Sequence, residues 1–246
     1  MKNKKRILLL ALAVCLVAIL SYSTLAWFVV RDEADNIFEF GDVDIVQHEQ
    51  QHDANGQLVP FVNNKMLLPV LGDDPTAPND YYQEKIVTVE NVGDMDAYVQ
   101  TLVAVPKDLD DHGVLKIYDA NGAPYWTKVD ADPTKDGVQP LYTVTVDQIA
   151  YNVYCYRYKT VLTVTQKLTQ PCIEYVYIDS RADMNLYDTD NDGKTDTAYF
   201  VMNGVEISSV NVADTVNVLV ASQGIQTEGF ADAEAALNGI QVNPWS

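Results

Sequence analysis

Short runs rich in Val, Thr, Ile and Tyr, broken about every ten residues by turn chemistry, predict a mostly β chain folded as an antiparallel β-sandwich. The chain carries 15 Tyr among its 246 residues. Its apolar residues repeat with a period of two along most segments, as on the pleated, half-buried surface of a sheet. Helical spacing is clear in one short segment near the C-terminus.

Taken in order, the alternation begins at Phe38 and Phe40, resumes after Gly41 with Val43 and Ile45, and leaves Glu39, Asp42 and Asp44 opposite. Asp53 to Gly56 (DANG) is a turn, and Leu58 to Phe61 a short return strand. Leu71 to Asp80 reads as an exposed loop from its Pro, Asp and Gly content. Gln83 to Glu90 and Ala97 to Val105 are strands about the turn Asn91 to Asp94. Val114 to Tyr118 and Tyr125 to Val129 flank Asp119 to Gly122, a hairpin centred on Asn-Gly.

Leu141 to Val146, Ala150 to Tyr158 and Val161 to Thr165 are further strands, the middle one with Tyr151, Val153, Cys155 and Arg157 on one face. Cys172 to Ile178, Ala198 to Met202 and Thr215 to Ala221 follow. Glu228 to Asn238, with Phe230, Ala233 and Leu237 spaced three and four apart and Gly239 behind, is the short C-terminal helix.

The N-terminus has a different grammar. Four cations within Lys2 to Arg6 precede an apolar run from Ile7 to Leu20, then Ser21 to Thr24 lead to Ala26, the order of a secretory signal peptide with an N-terminal signal helix. Cleavage by signal peptidase after Ala26 makes Trp27 the new N-terminus. The competing reading is a retained anchor, since Ile7 to Val30 is long enough to cross a bilayer of about 30 Å. The polar Ser-Tyr-Ser-Thr patch before Leu-Ala fits a peptidase site better than the middle of a span. The expected organisation is therefore a signal peptide over residues 1–26 and one β-sandwich domain over residues 27–246, secreted or held at the cell surface, with no stable membrane insertion after cleavage.

Removing residues 1–26 leaves 12 Lys and Arg against 35 Asp and Glu, a formal charge of −23. A surface this acidic repels nucleic acid and anionic lipid, and favours solubility and divalent cations. The mature part retains Cys155 and Cys172. An exported chain permits a disulfide between them, and two buried free thiols on neighbouring strands are the alternative.

Three stretches carry a family resemblance. The junction LAWF, the acidic spacer and NIFEFGDVDIV resemble the start of the TasA and camelysin family, SipW-dependent exported proteins of Gram-positive bacteria. KIVTVENVGDMDAYVQTLVAV, from Lys85 to Val105, is similar to that family's strand, NxG turn and strand. VLVASQGIQTEGFADAEAALN, from Val218 to Asn238, is similar to the C-terminal end of many members. The resemblance implies a jelly-roll version of the sandwich and a structural role in an extracellular matrix or biofilm. Trp27, Phe28, Val29 and Val30 form a β-prone apolar segment, which can tuck into its own fold or add as a strand to a neighbour's sheet edge. The resemblance implies the second, with subunits donating an N-terminal strand to another copy or to a related matrix protein.

Camelysin relatives have been classed as metallopeptidases, and His48-Glu49-Gln50-Gln51-His52 matches HExxH. That motif binds zinc on a helix, where residues four apart share a face and both imidazoles reach one ion. Here the residues continue an alternating run and end at a turn. On a strand at about 3.3 Å per residue the two His lie roughly 13 Å apart, so no zinc and no catalytic residues are expected.

Asp188-Thr-Asp190-Asn-Asp192-Gly193-Lys194-Thr-Asp196 is the more specific pattern. Alternate carboxylates, Gly at the sixth position, the Lys194 carbonyl at the seventh and Asp196 at the ninth reproduce most of an EF-hand-like calcium loop. Tyr199 stands where a bidentate Glu is expected, and flanking helices are missing from the pattern. The expectation is a weak calcium site, with an acidic hairpin loop between Met184 and Thr197 as the alternative. A calcium-dependent binding module remains open beside the structural role.

Overall fold

Among the described residues the two longest strands are Ala97–Pro106 and Ile149–Tyr158, rich in apolar and β-prone side chains and buried over most of their length. They pair antiparallel from Gln100↔Arg157 to Pro106↔Tyr151. In the computed structural model the described residues are 43–62, 67, 69–70, 82–119, 123–211, 217–240 and 243–245, all within one compact unit. The signal segment with Ala26, the Trp27 to Val30 segment, the Phe38 and Phe40 alternation, the Leu71 to Asp80 loop and the Asn121-Gly122 turn centre lie outside them. Among the described residues no helix is long and apolar enough to cross a membrane.

The strands in chain order are β1 Ile45–His52, β2 Leu58–Pro60, β3 Gln83–Asn91, β4 Ala97–Pro106, β5 Leu115–Tyr118, β6 Trp126–Val129, β7 Tyr142–Val146, β8 Ile149–Tyr158, β9 Ile173–Ile178, β10 Asp183–Tyr187, β11 Thr197–Met202, β12 Val205–Asn211 and β13 Leu219–Gln226. Among the described residues two short helices accompany them, α1 Lys107–Asp111 and α2 Ala233–Leu237. One sheet runs β2-β1-β3-β9-β5, a second β13-β4-β8-β6 with β7 also pairing β8, and a third β10-β11-β12. Among the described residues these strands all pair antiparallel.

Side-chain parity builds the sandwich from these sheets. Val99, Val103 and Val105 of β4, Tyr156 and Tyr158 of β8 and Val220 of β13 face Ile45, Val87, Val89, Ile173, Val176 and Ile178 of the first sheet in one buried core. Phe200 and Met202 of β11 and Ile207 of β12 join the same core. Each such side chain withdrawn from water contributes about 1.5–3 kcal/mol, so this layer carries most of the stabilisation. The opposite parity of β4 and β8 forms a smaller cluster on the outer face, Leu102, Ala104, Tyr151, Val153 and Cys155. Tyr142, Val144 and Val146 of β7 and Trp245 pack against it.

The mostly β antiparallel class agrees with the sequence, and several elements differ from it. Val161 to Thr165 is not a strand: Leu162 makes an isolated bridge to Ala97, while Asp96 Oδ1 accepts from Val164 N at 3.0 Å and Thr163 Oγ1 accepts from Gln166 N at 2.9 Å. Side-chain acceptors there take the donors a ladder would need. The last strand continues past Ala221 to Gln226, because Ser222, Gln223 and Gly224 pair with Thr101, Gln100 and Val99 despite their turn-like composition. Gly224 has a packing reason to be glycine, since a Cβ there would lie 3.1 Å from an Ile45 side-chain carbon.

The C-terminal helix is shorter than its spacing predicts. Gly229 is at φ 91°, left-handed backbone that a helix cannot include, and Asp232 caps the start at Ala233 by accepting from Ala235 N at 2.8 Å. The sequence reading omits α1, β10 and β12. α1 is five residues long, too short for a helical period, and is fastened to β8 where Asn152 Nδ2 donates to Asp110 and Asp111 at 2.7 and 2.8 Å.

The disulfide alternative is corrected: Cys155 and Cys172 are both free and buried. Cys155 lies in the outer-face cluster and Cys172 in the core between the sheets, so the β4–β8 layer stands between them. They are also not on neighbouring strands, since Cys172 precedes β9 in the other large sheet.

Candidate metal-binding loop

β10 and β11 pair from Asp183↔Val201 to Tyr187↔Thr197, so Asp188 to Asp196 is a hairpin loop held between strands rather than helices. Its reversal uses left-handed backbone at Asn191 (φ 59°) and Gly193 (φ 85°), the two residue types that adopt it most readily. Carboxylates then organise the loop. Asp188 accepts from Asp192 N at 3.2 Å and from Gly193 N at 2.8 Å, and Asp190 Oδ1 accepts from Asp192 N at 3.1 Å. Asp196 accepts from Thr189 Oγ1 at 2.7 Å and from Thr189 N at 3.1 Å.

Asp188, Asp190 and Asp196 each offer an oxygen within 4.8 Å of the others, and all three are exposed. The hydrogen bond from the Thr189 hydroxyl holds the Asp196 carboxyl below its ordinary range, which favours the ionised form a cation needs. Three converging carboxylates suit a hard divalent ion, and calcium is one such ion. Asp192 and Lys194 are not part of the trio. Asp192 closes its own turn by accepting from Lys194 N at 2.8 Å, with Lys194 Nζ 3.8 Å away. Tyr199, at the twelfth position, lies on β11 with its ring tilted against that of Tyr187, centroids 5.9 Å apart.

The HEQQH run is the second half of β1, and period two divides it between faces. His48 Nε2 is 2.9 Å from Glu90 Oε2 and His52 Nδ1 is 2.8 Å from Glu84 Oε1, pairs formed with the adjacent strand β3 on the outer face. Glu49 faces the interior and pairs with Lys85. The two imidazoles therefore hold separate carboxylates, and the glutamate of the motif points away from both. This strand does not assemble the helical two-histidine zinc geometry. His112, which ends α1, has its Nδ1 2.7 Å from the Asp108 carbonyl in that helix's first turn.

Sequence reasoning missed Lys85 as a functional candidate. The signal was available: Lys85, Val87 and Val89 share one strand parity, so a lysine occupies a position patterned for the core. A shallow cavity of about 230 Å³ lies on the outer face over β4 and β13, lined by Gln100, Leu102, Leu141, Tyr142, Gln223, Ile240 and Asn243. It is smaller than pockets of about 300–1,000 Å³ that enclose a small molecule. Burial raises the two thiols, Cys155 to about 11 and Cys172 to about 12, so neither is a thiolate nucleophile at neutral pH.

Comparison with protein-family models, with curated proteins and with solved structures finds no match. The likeness to the TasA and camelysin family accordingly rests on the three stretches of sequence quoted above. The cleavage residues Ala26 and Trp27 and the assembly segment Trp27 to Val30 lie outside the described residues.

Proposed function

We propose that this chain is a secreted or cell-surface structural protein, a TasA-like matrix or fibre subunit that assembles through its mature N-terminal strand. The observation that carries the proposal is the order of parts in the sequence: an export signal, then the apolar β-prone Trp27-Phe28-Val29-Val30, then an acidic all-β body. A short strand of that composition gains by adding to a sheet edge, where main-chain hydrogen bonds supply affinity. The body offers such edges, since among the described residues β2, β5, β6, β7, β10, β12 and β13 each pair with one strand only. A head-to-tail contact of this kind does not close on itself, so it propagates into a filament.

The acidic loop supports an accessory role for calcium, which would pin the β10–β11 hairpin without taking part in chemistry. Self-association or binding to a related matrix protein is the proposed partnership, and the net charge of −19 argues against nucleic acid. The test compares chains beginning at Trp27 and at Ala34 by light scattering and electron microscopy, with and without calcium. The longer chain is expected to elongate and the shorter to remain monomeric. Equal monomer mass for both would refute strand donation.

A further inference from the structure

Between the two large sheets, at the end of β1 that follows Ile45, the core turns polar. Gln47 and Glu49 occupy successive inward positions on β1, opposite Val89 and Val87 of β3. Lys85 shares that face of β3. Gln47 is 7 % exposed, Lys85 6 % and Ser222 of β13 1 %. Buried groups of this kind must find partners, and these find one another in a particular order.

Glu49 bridges an amine and an amide. Its Oε2 accepts from Lys85 Nζ and its Oε1 accepts from Gln47 Nε2 at 3.0 Å. The same amide nitrogen also donates to the Val220 carbonyl at 3.3 Å, so both amide hydrogens are engaged and the amide plane is fixed. On the other side, Ser222 Oγ donates to Gln47 Oε1 at 2.8 Å, and Thr101 Oγ1 lies 3.0 Å from Ser222 Oγ. The ring of Phe61 covers the ammonium, 4.6 Å from its centroid to Lys85 Nζ. A nucleophile, a carboxylate touching both nucleophile and leaving group, and a hydroxyl aimed at the carbonyl oxygen thus meet at the margin of the core, where the Glu49 side chain, 30 % exposed, reaches water.

We propose that Lys85 and Gln47 are joined by an isopeptide bond that the folded chain forms on itself. Glu49 takes a proton from Lys85 Nζ, and the freed lone pair attacks Cδ of Gln47. Charge developing on Oε1 is met by the Ser222 hydroxyl, which Thr101 supports. Glu49 then passes that proton to Nε2, the Cδ–Nε2 bond breaks with ammonia leaving, and Glu49 carries the second proton that Nζ sheds to the ammonia, which departs as ammonium. The lysine ammonium and a primary amide become a secondary amide and ammonium, so protons and charge balance and no oxidant, reductant or co-reactant enters. The carboxylate ends as it began and the reaction occurs once per chain. Its product ties β1 to β3 covalently and closes the whole of β2 and the following segment into a loop. Strands bonded in this way resist unfolding from the end of the sheet.

The test is peptide mapping by tandem mass spectrometry of the full chain after refolding and incubation. Wild-type protein is expected to yield a branched peptide containing Gln47 and Lys85, lighter by one ammonia than its two linear parts. Glu49→Gln removes the proton carrier and Lys85→Arg removes the nucleophile while preserving the ion pair to Glu49. Both should give only linear peptides from protein whose circular dichroism matches wild type, and Lys85→Arg suffices if Glu49→Gln does not fold. Ser222→Ala should form the same bond about a hundredfold more slowly, the effect of losing one donor to a developing oxyanion. Linear, unmodified peptides from folded wild type would overturn the proposal. So would a branched peptide that persists in Glu49→Gln, or one lighter by water instead of ammonia and joined at Glu49.

Discussion

Glu49 reaches Lys85 in the interior while His48, its neighbour in the chain, reaches Glu90 on the outer face of the same sheet. Adjacent residues of a strand point in opposite directions, and this single fact separates the parts of a sequence that reads as a zinc-protease motif. His48→Ala combined with His52→Ala should leave zinc uptake, followed by calorimetric titration, unchanged. Because both His–Glu contacts are partly exposed, the double variant should lose only about 1 kcal/mol in denaturant unfolding.

In the hairpin loop the carboxylates are not equivalent. Asp190 belongs to the converging trio, whereas Asp192 spends its oxygens on the turn and on Lys194. If calcium binds between Asp188, Asp190 and Asp196, it should raise the melting temperature. Asp190→Ala should abolish that rise, while Asp192→Ala should retain most of it. A loss of equal size in both variants would place the ion elsewhere in the loop.

Cys155 and Cys172 lie on opposite sides of the β4–β8 layer, each raised by burial. Melting temperatures measured with and without reductant should therefore coincide. A thiol reagent should label neither residue in the native protein at neutral pH and both after unfolding. Labelling of one thiol under native conditions would mean that its cluster opens locally.

Much of the fold was legible because parity is a local property. Tyr151, Val153, Cys155 and Arg157 share a face in the structure as in the sequence, and the carboxylate-rich segment from Asp188 does lie in a hairpin. What was not legible depends on partners distant in the chain. Ser222, Gln223 and Gly224 look like a turn until Thr101, Gln100 and Val99 are placed beside them. Val161 to Thr165 looks like a strand until Asp96 takes the Val164 amide. Within the candidate loop, spacing pointed to five ligands, and hydrogen bonds inside the turn reassigned Asp192. Lys85 was overlooked because a single lysine in a strand reads as solvent-facing until its neighbours Val87 and Val89 are found in the core.

The remaining prediction concerns acid stability and rests on Asp179, whose side chain is 3 % exposed. The Arg181 guanidinium donates to both of its oxygens, Nε at 2.8 Å and Nη2 at 2.7 Å, and Lys116 Nζ lies 3.8 Å away. Hydrogen bonding from Arg181 holds the carboxyl down at about 2, against 3.8 ordinarily. Since the folded state favours the ionised form, the contribution is complete above the unfolded value and disappears as pH falls from about 4 to about 2. Arg181→Ala should cost about 1 kcal/mol at neutral pH, a figure reduced for the solvent exposure of the guanidinium. Urea unfolding of wild type and variant across this range should show the two curves converging as Asp179 is protonated. Curves that remain parallel down to pH about 2 would show that Arg181 stabilises the turn after β9 through packing and not through the charge on Asp179.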